Sequence, residues 1–490
     1  MKKLTVNPMR KARVAIIPAV LAGMVLACTS QSSEDHLALI EQGEFRRARA
    51  AIEARLQKDT GLTPVQRLEL QFEIERLERI KKDFNQTEEE VIEYIKAVIP
   101  DADAADLRRW EKNKALEYKI IDGEKRYFEL AGRNLFRIDR AARAEWNLKA
   151  KSEQPTYTPG TKLDLNRHDQ RIIDAALRTG KIYVEPVRLR IRQSVEVHEN
   201  MVPEGEIIRC WIPFPREIPA RQGDIRLLAT EPAEHIIADK DIYLQRTIYF
   251  EKPSRAYTKI RFEVEYEYTS RGAYAPVDAD RVQTVELTPE LAPYVQEEPP
   301  HIVFTPALRE LSREIVGAES NPYLIARRLY EWVDTNIPWA SAREYSTIRN
   351  LSSYAYENMH GDCGIRALLF ITLCRMNGIP ARWQSGWEFQ PPDDSMHDWG
   401  MIYFELFGWI PMDVDYGLRN SVHERLKWFY LSGMDSYRLV FNDAYSQPLY
   451  PAKIYPRSET VDSQRGEVEW RGGNLYYDQW DWELEWEVIE

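Results

Sequence analysis

The feature that most constrains this chain is a helix with no polar face. Ala367-Leu368-Leu369-Phe370-Ile371-Thr372-Leu373 puts apolar side chains on nearly every side, so a helix here must lie inside a core. Gly378-Ile379-Pro380 stops it, with Gly just past the last turn and Pro beyond. At its other end stands His360-Gly361-Asp362-Cys363-Gly364, which places Cys363 at the helix N-terminus. The unpaired N–H groups and the dipole there favour an anion, which predicts a thiol pKa below the unperturbed value of about 8.5. Burial in an apolar wall would push the other way. The glycines on either side allow a substrate carbonyl to approach the backbone closely.

Two further segments complete a candidate site. His397-Asp398-Trp399-Gly400-Met401-Ile402-Tyr403-Phe404 is dominated by apolar residues and reads as a strand within a sheet, opening with His397. Gly408 marks a hairpin, so Gly408-Trp409-Ile410-Pro411-Met412-Asp413 returns antiparallel and brings Asp413 back beside His397. A carboxylate there can orient an imidazole, and the imidazole is expected to face the thiol. Asp398 falls on the opposite strand face from His397 and is not expected to replace Asp413. Asp415, on the same face as Asp413, is the reserve orienter. Trp339 and Trp387 are candidates for a cleft wall, with core packing the plainer expectation for both.

A Cys opening a helix, a following Gly-Ile-Pro-Ala-Arg, an aromatic-rich His strand, a Gly-Trp turn and an Asp together resemble the transglutaminase-like superfamily over about residues 300–417. The resemblance implies a papain-like core, with the Cys helix packed on an antiparallel sheet, and a catalytic Cys363, His397 and Asp413. It implies acyl transfer at an amide through a thioester, with water making a peptidase or amidase and an amine making a transamidase. Asp398 is a departure, since relatives commonly carry a small residue there. No cofactor or metal is expected, because the cysteines are sparse, no His pair has ligand spacing and no acidic loop suggests calcium. The rival reading is a non-catalytic surface protein whose groove binds peptide, cell-wall fragment or glycan.

The rest of the chain sets the site in an α+β protein. Lys2, Lys3, Arg10, Lys11 and Arg13 precede an apolar run from Val14 to Ala27, too short and too early for an ordinary membrane span. Val25-Leu26-Ala27-Cys28 resembles a bacterial lipoprotein signal, which implies a signal peptide over 1–27 and a lipidated Cys28. Thr29, rather than Asp, would imply sorting to the outer membrane of a Gram-negative cell. Residues 28–150 read as a helical to α+β region, with a capping box at Thr87 and Glu90 and a hairpin turn at Asp122-Gly123. Residues 151–180 are a linker, with Pro155 and Pro159, and a helix. Alternation of Val187, Leu189 and Ile191, and of Phe262, Val264 and Tyr266, predicts a β-sandwich over 181–287. The catalytic region is 288–417. Residues 418–490 form an aromatic-rich extension ending in a strand, Trp482 to Val488, whose apolar face is expected to pack on a neighbouring domain rather than bind sugar.

A formal net charge of -12 argues against nucleic acid as the main partner, which leaves a protein or peptide substrate and a lipid anchor; oligomeric state is open. Beyond Cys28 the cysteines are Cys210, Cys363 and Cys374, an odd number. Cys363 and Cys374 share one helix, roughly 16 Å apart, beyond disulfide reach. A Cys210–Cys374 bridge stays open, and the simplest arrangement leaves Cys363 free.

Overall fold

In the computed structural model, which describes residues 35–152 and 162–489, three large apolar clusters organise the chain. The leader and Cys28 lie outside the described residues, as do the linker prolines. Among the described residues no helix is long and apolar enough to cross a membrane.

The first cluster belongs to the N-terminal module. Helices His36–Glu41 and Phe45–Lys58 pack through Leu39, Ala48 and Ile52, and the long helix Pro64–Asp83 lies alongside. The capping box at Thr87 and Glu90 opens the helix Glu88–Lys96, satisfying two backbone N–H groups reciprocally. The hairpin pairs Tyr118–Ile121 with Glu124–Tyr127 across Asp122-Gly123, both with positive φ.

The second cluster fills the sandwich. One sheet is built on two long strands, Tyr183–Val197 and Ile260–Tyr274, whose alternating residues Leu189, Ile191, Val195, Phe262, Val264 and Tyr266 are all buried. The other is built on Ile207–Pro213 and Thr247–Pro253. The 418–490 segment is not a separate extension. Trp480–Val488 pairs with Tyr183–Val197 along its length, and Glu467–Trp470 pairs with Ile207–Pro213. Trp482, Leu484 and Trp486 pack on the sandwich cluster, Trp482 against Trp387 and Trp486 against Phe389.

The third cluster surrounds the central helix, Cys363–Met376, buried from Gly364 to Arg375. The helix lies on a four-stranded antiparallel sheet in the order Gly408–Met412, Asp393–Phe404, Ala381–Gln390 and Arg438–Asn442. The last of these strands also comes from the C-terminal segment. Cys210 and Cys374 are buried free thiols in different cores, so no bridge joins them, and Cys363 is free and partly exposed.

Candidate active site

The Asp362 carboxylate caps the central helix by accepting from the Ile365 N–H (3.1 Å), and Cys363 is the first residue inside. Its neighbour across the opening is the segment after Ile337. Trp339 bridges Gly361 in parallel fashion, and the Ala340 N–H donates to the Gly361 carbonyl (3.0 Å). Between them opens a cavity of about 320 Å³, with Cys363, Trp339, Tyr345 and Asp398 in its wall. Trp339 is thus a wall residue, 38% exposed, while Trp387 is core.

The strand Asp393–Phe404 carries two opposite surroundings on adjacent residues. His397 Nε2 lies 2.7 Å from Asp413 Oδ2, the pairing the Gly408 hairpin predicts. Asp413 is held in turn by the Asp415 N–H (3.0 Å) and by the Arg438 guanidinium (3.0 Å). Asp415 supports the pair through its backbone and spends its own carboxylate on Arg366. Glu388 lies 3.9 Å from the imidazole, Tyr416 meets the ring edge-on, and Trp399 stacks on it. Burial opposes a charged imidazole here, but Asp413 and Glu388 outweigh it and raise the His397 pKa to about 9. Asp413 is correspondingly lowered by His397 and Arg438 against its own burial.

Asp398, one residue on, points to the other face and meets the thiol. Cys363 Sγ donates to Asp398 Oδ2 at 3.5 Å, while Gln464 Nε2 donates to Asp398 Oδ1 at 2.9 Å. Tyr345 Oη lies 3.4 Å from the same Oδ2 and donates to Asp362 Oδ1 at 2.7 Å. The Asp398 carboxyl is also hydrogen-bonded to that of Asp462. The expected contact of His397 with the thiol is therefore replaced by Asp398. The alternation is as anticipated, but the helix packs on the Asp398 face, where Gly400 leaves room for Ile371 and Met412. Among the described residues His397 is not in the cavity wall.

The electrostatics follow from that placement. Burial first, then Asp398, Asp362 and Asp415, push the Cys363 thiol well above its ordinary value, so the expected depression is not realised at rest. Burial and Asp462 push Asp398 up strongly, and burial raises Asp362 to about 7. Residues 459–465 also entered the cavity unforeseen. Glu459, Asp462, Gln464 and Arg465 come from a polar stretch more than sixty positions past His397, with no local signal to link them to it. The clue that was available is Gly400, whose missing side chain marks the face on which a helix can sit close.

Residues 309–414 match the family model of the transglutaminase-like superfamily. No curated protein matches the chain. Among solved structures, the crystal structure of a candidate cysteine protease from Cytophaga hutchinsonii is 15% identical, covering 63% of this chain and 92% of its own, with a TM-score of 0.43. The periplasmic domain of TgpA from Pseudomonas aeruginosa is 14% identical, covering 49% and 90%, with a TM-score of 0.26. Neither likeness is close enough to bear on this chain's chemistry.

Proposed function

We propose, from the premise that residues 309–414 form a transglutaminase-like superfamily domain, that this chain is an exported cysteine-dependent enzyme that opens amide bonds through a thioester on Cys363. The observation that carries the reading is the position of the thiol, on the first residue of a buried helix and in the wall of a cavity. Helix geometry leaves the N–H groups of Cys363 and Gly364 without intrahelical partners, while Asp362 takes that of Ile365. Those two groups are the donors for the oxyanion that forms as sulfur adds to a carbonyl. Release by water makes the protein a peptidase or amidase, the outcome we favour; release by an amine makes it a transamidase.

The test is incubation of the mature protein with a peptide library, with and without added amines, read by mass spectrometry. Cleavage or deamidation is expected, and Cys363→Ala should reduce it by a factor on the order of 10⁶, the scale seen when a nucleophile is removed. The carboxylates around the thiol, the raised thiol pKa and the position of His397 outside the cavity wall favour a groove that only binds. Peptide retention without any Cys363-dependent product would establish that reading instead.

The basic leader and Val25-Leu26-Ala27-Cys28 support a lipoprotein of the cell envelope, acting on protein or peptide substrates. Cys28→Ser should release the protein from membrane fractions or block its processing. Normal signal cleavage with unchanged membrane retention would reject lipidation.

A further inference from the structure

We infer that Asp398, backed by Asp462, takes and returns the proton of Cys363, the part expected of His397. This rests on the reading of Cys363 as nucleophile and assigns that site its acid–base group.

The strand itself is the first argument. Its register with Ala381–Gln390 runs without a shift from Asp393 opposite Gln390 to Ile402 opposite Ala381. Turning His397 towards the thiol would need a slip of one residue, which would exchange every side chain between the two faces. Trp399, fully buried and stacked on His397, would have to enter the helix face, where even the Cβ of an alanine at position 400 would sit 2.4 Å from Met412 Cε. His397 is also committed, being 4% exposed and bonded to Asp413.

Asp398, by contrast, is equipped for the exchange. Gln464 fixes Oδ1 and leaves Oδ2 to the sulfur and the Tyr345 hydroxyl, within reach of an S–H donor. The same Gln464 amide donates to the His397 carbonyl (2.9 Å), so it orients the carboxylate relative to the strand. Two carboxyls in contact in a buried site cannot both ionise readily, so Asp398 and Asp462 share one proton and one negative charge. That leaves room for one more proton. The shift of both carboxyls upward makes the pair a stronger base than an ordinary carboxylate. The other ionisable groups facing this cluster are Asp362 and Asp415, Arg343, Glu344 and Tyr345, Arg457, Glu459 and Arg465, and Tyr477.

The steps balance without a further reactant. As sulfur bonds to the amide carbon, the S–H proton passes to Asp398 Oδ2 and the carbonyl oxygen becomes the oxyanion. Collapse breaks the C–N bond, and the proton leaves Asp398 for the departing nitrogen, giving a free amine and a thioester. Water then adds to the thioester carbon while one of its protons goes to Asp398. The C–S bond breaks, the acid is released, and the proton returns from Asp398 to sulfur.

The experiment compares Asp398→Asn, Asp462→Asn and His397→Asn in the otherwise intact mature chain, by amide turnover and by the pH dependence of iodoacetamide labelling at Cys363. The amide introduced by Asp398→Asn keeps an acceptor for Gln464, and a thermal melt reports whether the variant folds. In Asp398→Asn the negative charge shared by the pair is confined to Asp462 and withdrawn from the sulfur, so labelling near neutral pH should speed, while turnover falls by about 10²–10⁴. Those opposite signs are what a merely structural role would not produce. Asp462→Asn should move the turnover–pH profile to lower pH, since Asp398 then loses the neighbour that raises it. His397→Asn should leave the labelling midpoint in place. Turnover that survives Asp398→Asn, or a labelling midpoint that moves upward in His397→Asn, overturns the inference alone. Absence of any Cys363-dependent product overturns the proposed function with it.

Discussion

On one side of the strand Asp393–Phe404, Asp398 looks into a cavity that holds a thiol; on the other, His397 is closed in by Asp413, Glu388, Arg438 and Tyr416. Both sides are rich in buried carboxyls. They differ in how the charge is balanced. On the His397 side a raised imidazole and a fully buried guanidinium face Asp413, Glu388 and Asp435, with Arg438 3.0 Å, 3.3 Å and 2.8 Å from them. On the Asp398 side Asp362, Asp398, Glu459 and Asp462 outnumber the nearby cations, and Arg465 already pairs with Glu344. A network in which every carboxyl has a cation within 4 Å holds a fixed protonation state and stiffens the sheet. An acidic excess keeps protons bound in the resting state, where they can be exchanged with a thiol or a substrate.

The comparison breaks most visibly at Arg438. Arg438→Met removes the cation shared by Asp413, Asp435 and Glu388 and leaves Asp435 without its guanidinium partner, and unfolding in denaturant should show a loss of about 3–5 kcal/mol. A loss near zero would mean that the His397 side is not held by charge balance. A smaller effect sharpens the same contrast through pH. The His397 pKa, raised from its ordinary 6.5 to about 9, contributes stability that is fully present below pH 6.5 and is lost as pH rises through 9. The contribution is on the order of a few kcal/mol. Raised carboxyls such as Asp83 and Asp362, both at about 7, and Asp169, at about 8, tilt stability the same way at lower pH. The histidine's share is therefore read as the difference in melting temperature between the parent and His397→Gln from pH 8 to 9.5. The parent should lose stability across that interval and the variant much less; equal slopes would show that the imidazole is not charged.

Much of this was legible in the sequence, for reasons that can be named. The central helix follows from an apolar run between Cys363 and a Gly-Ile-Pro stop. The meeting of His397 and Asp413 follows from a hairpin at Gly408, and the divergence of His397 and Asp398 from strand alternation. Alternation cannot say which face the helix takes, because both faces are buried: Trp399 and Met401 on one, Gly400 and Ile402 on the other. Reading Gly400 as the close-packing side would have placed Asp398, not His397, at the thiol. The role of residues 418–490 was hidden for a different reason. Arg438–Asn442 and Trp480–Val488 find their partners in strands about 50 and 290 positions earlier, and no local pattern encodes pairing at that range.

The N-terminal module reaches the same cavity from outside. Asn134 exchanges two hydrogen bonds with the Ser341 backbone, at 2.8 Å and 2.9 Å, and the Arg137 guanidinium lies 4.2 Å from the centre of the Trp339 ring. Farther along the segment Glu117 pairs with Arg343 and Asp83 accepts from Thr347. The wall segment Trp339 to Arg343 is thus braced from behind by a module distant in sequence, which links occupancy of the cavity to docking of that module. If the module is docked in only a fraction of molecules, a substrate that needs the formed wall binds with its affinity reduced by that same fraction. The linkage is reciprocal, so a bound substrate slows hydrogen exchange in the helix Ala131–Ile138, which the cavity does not contain.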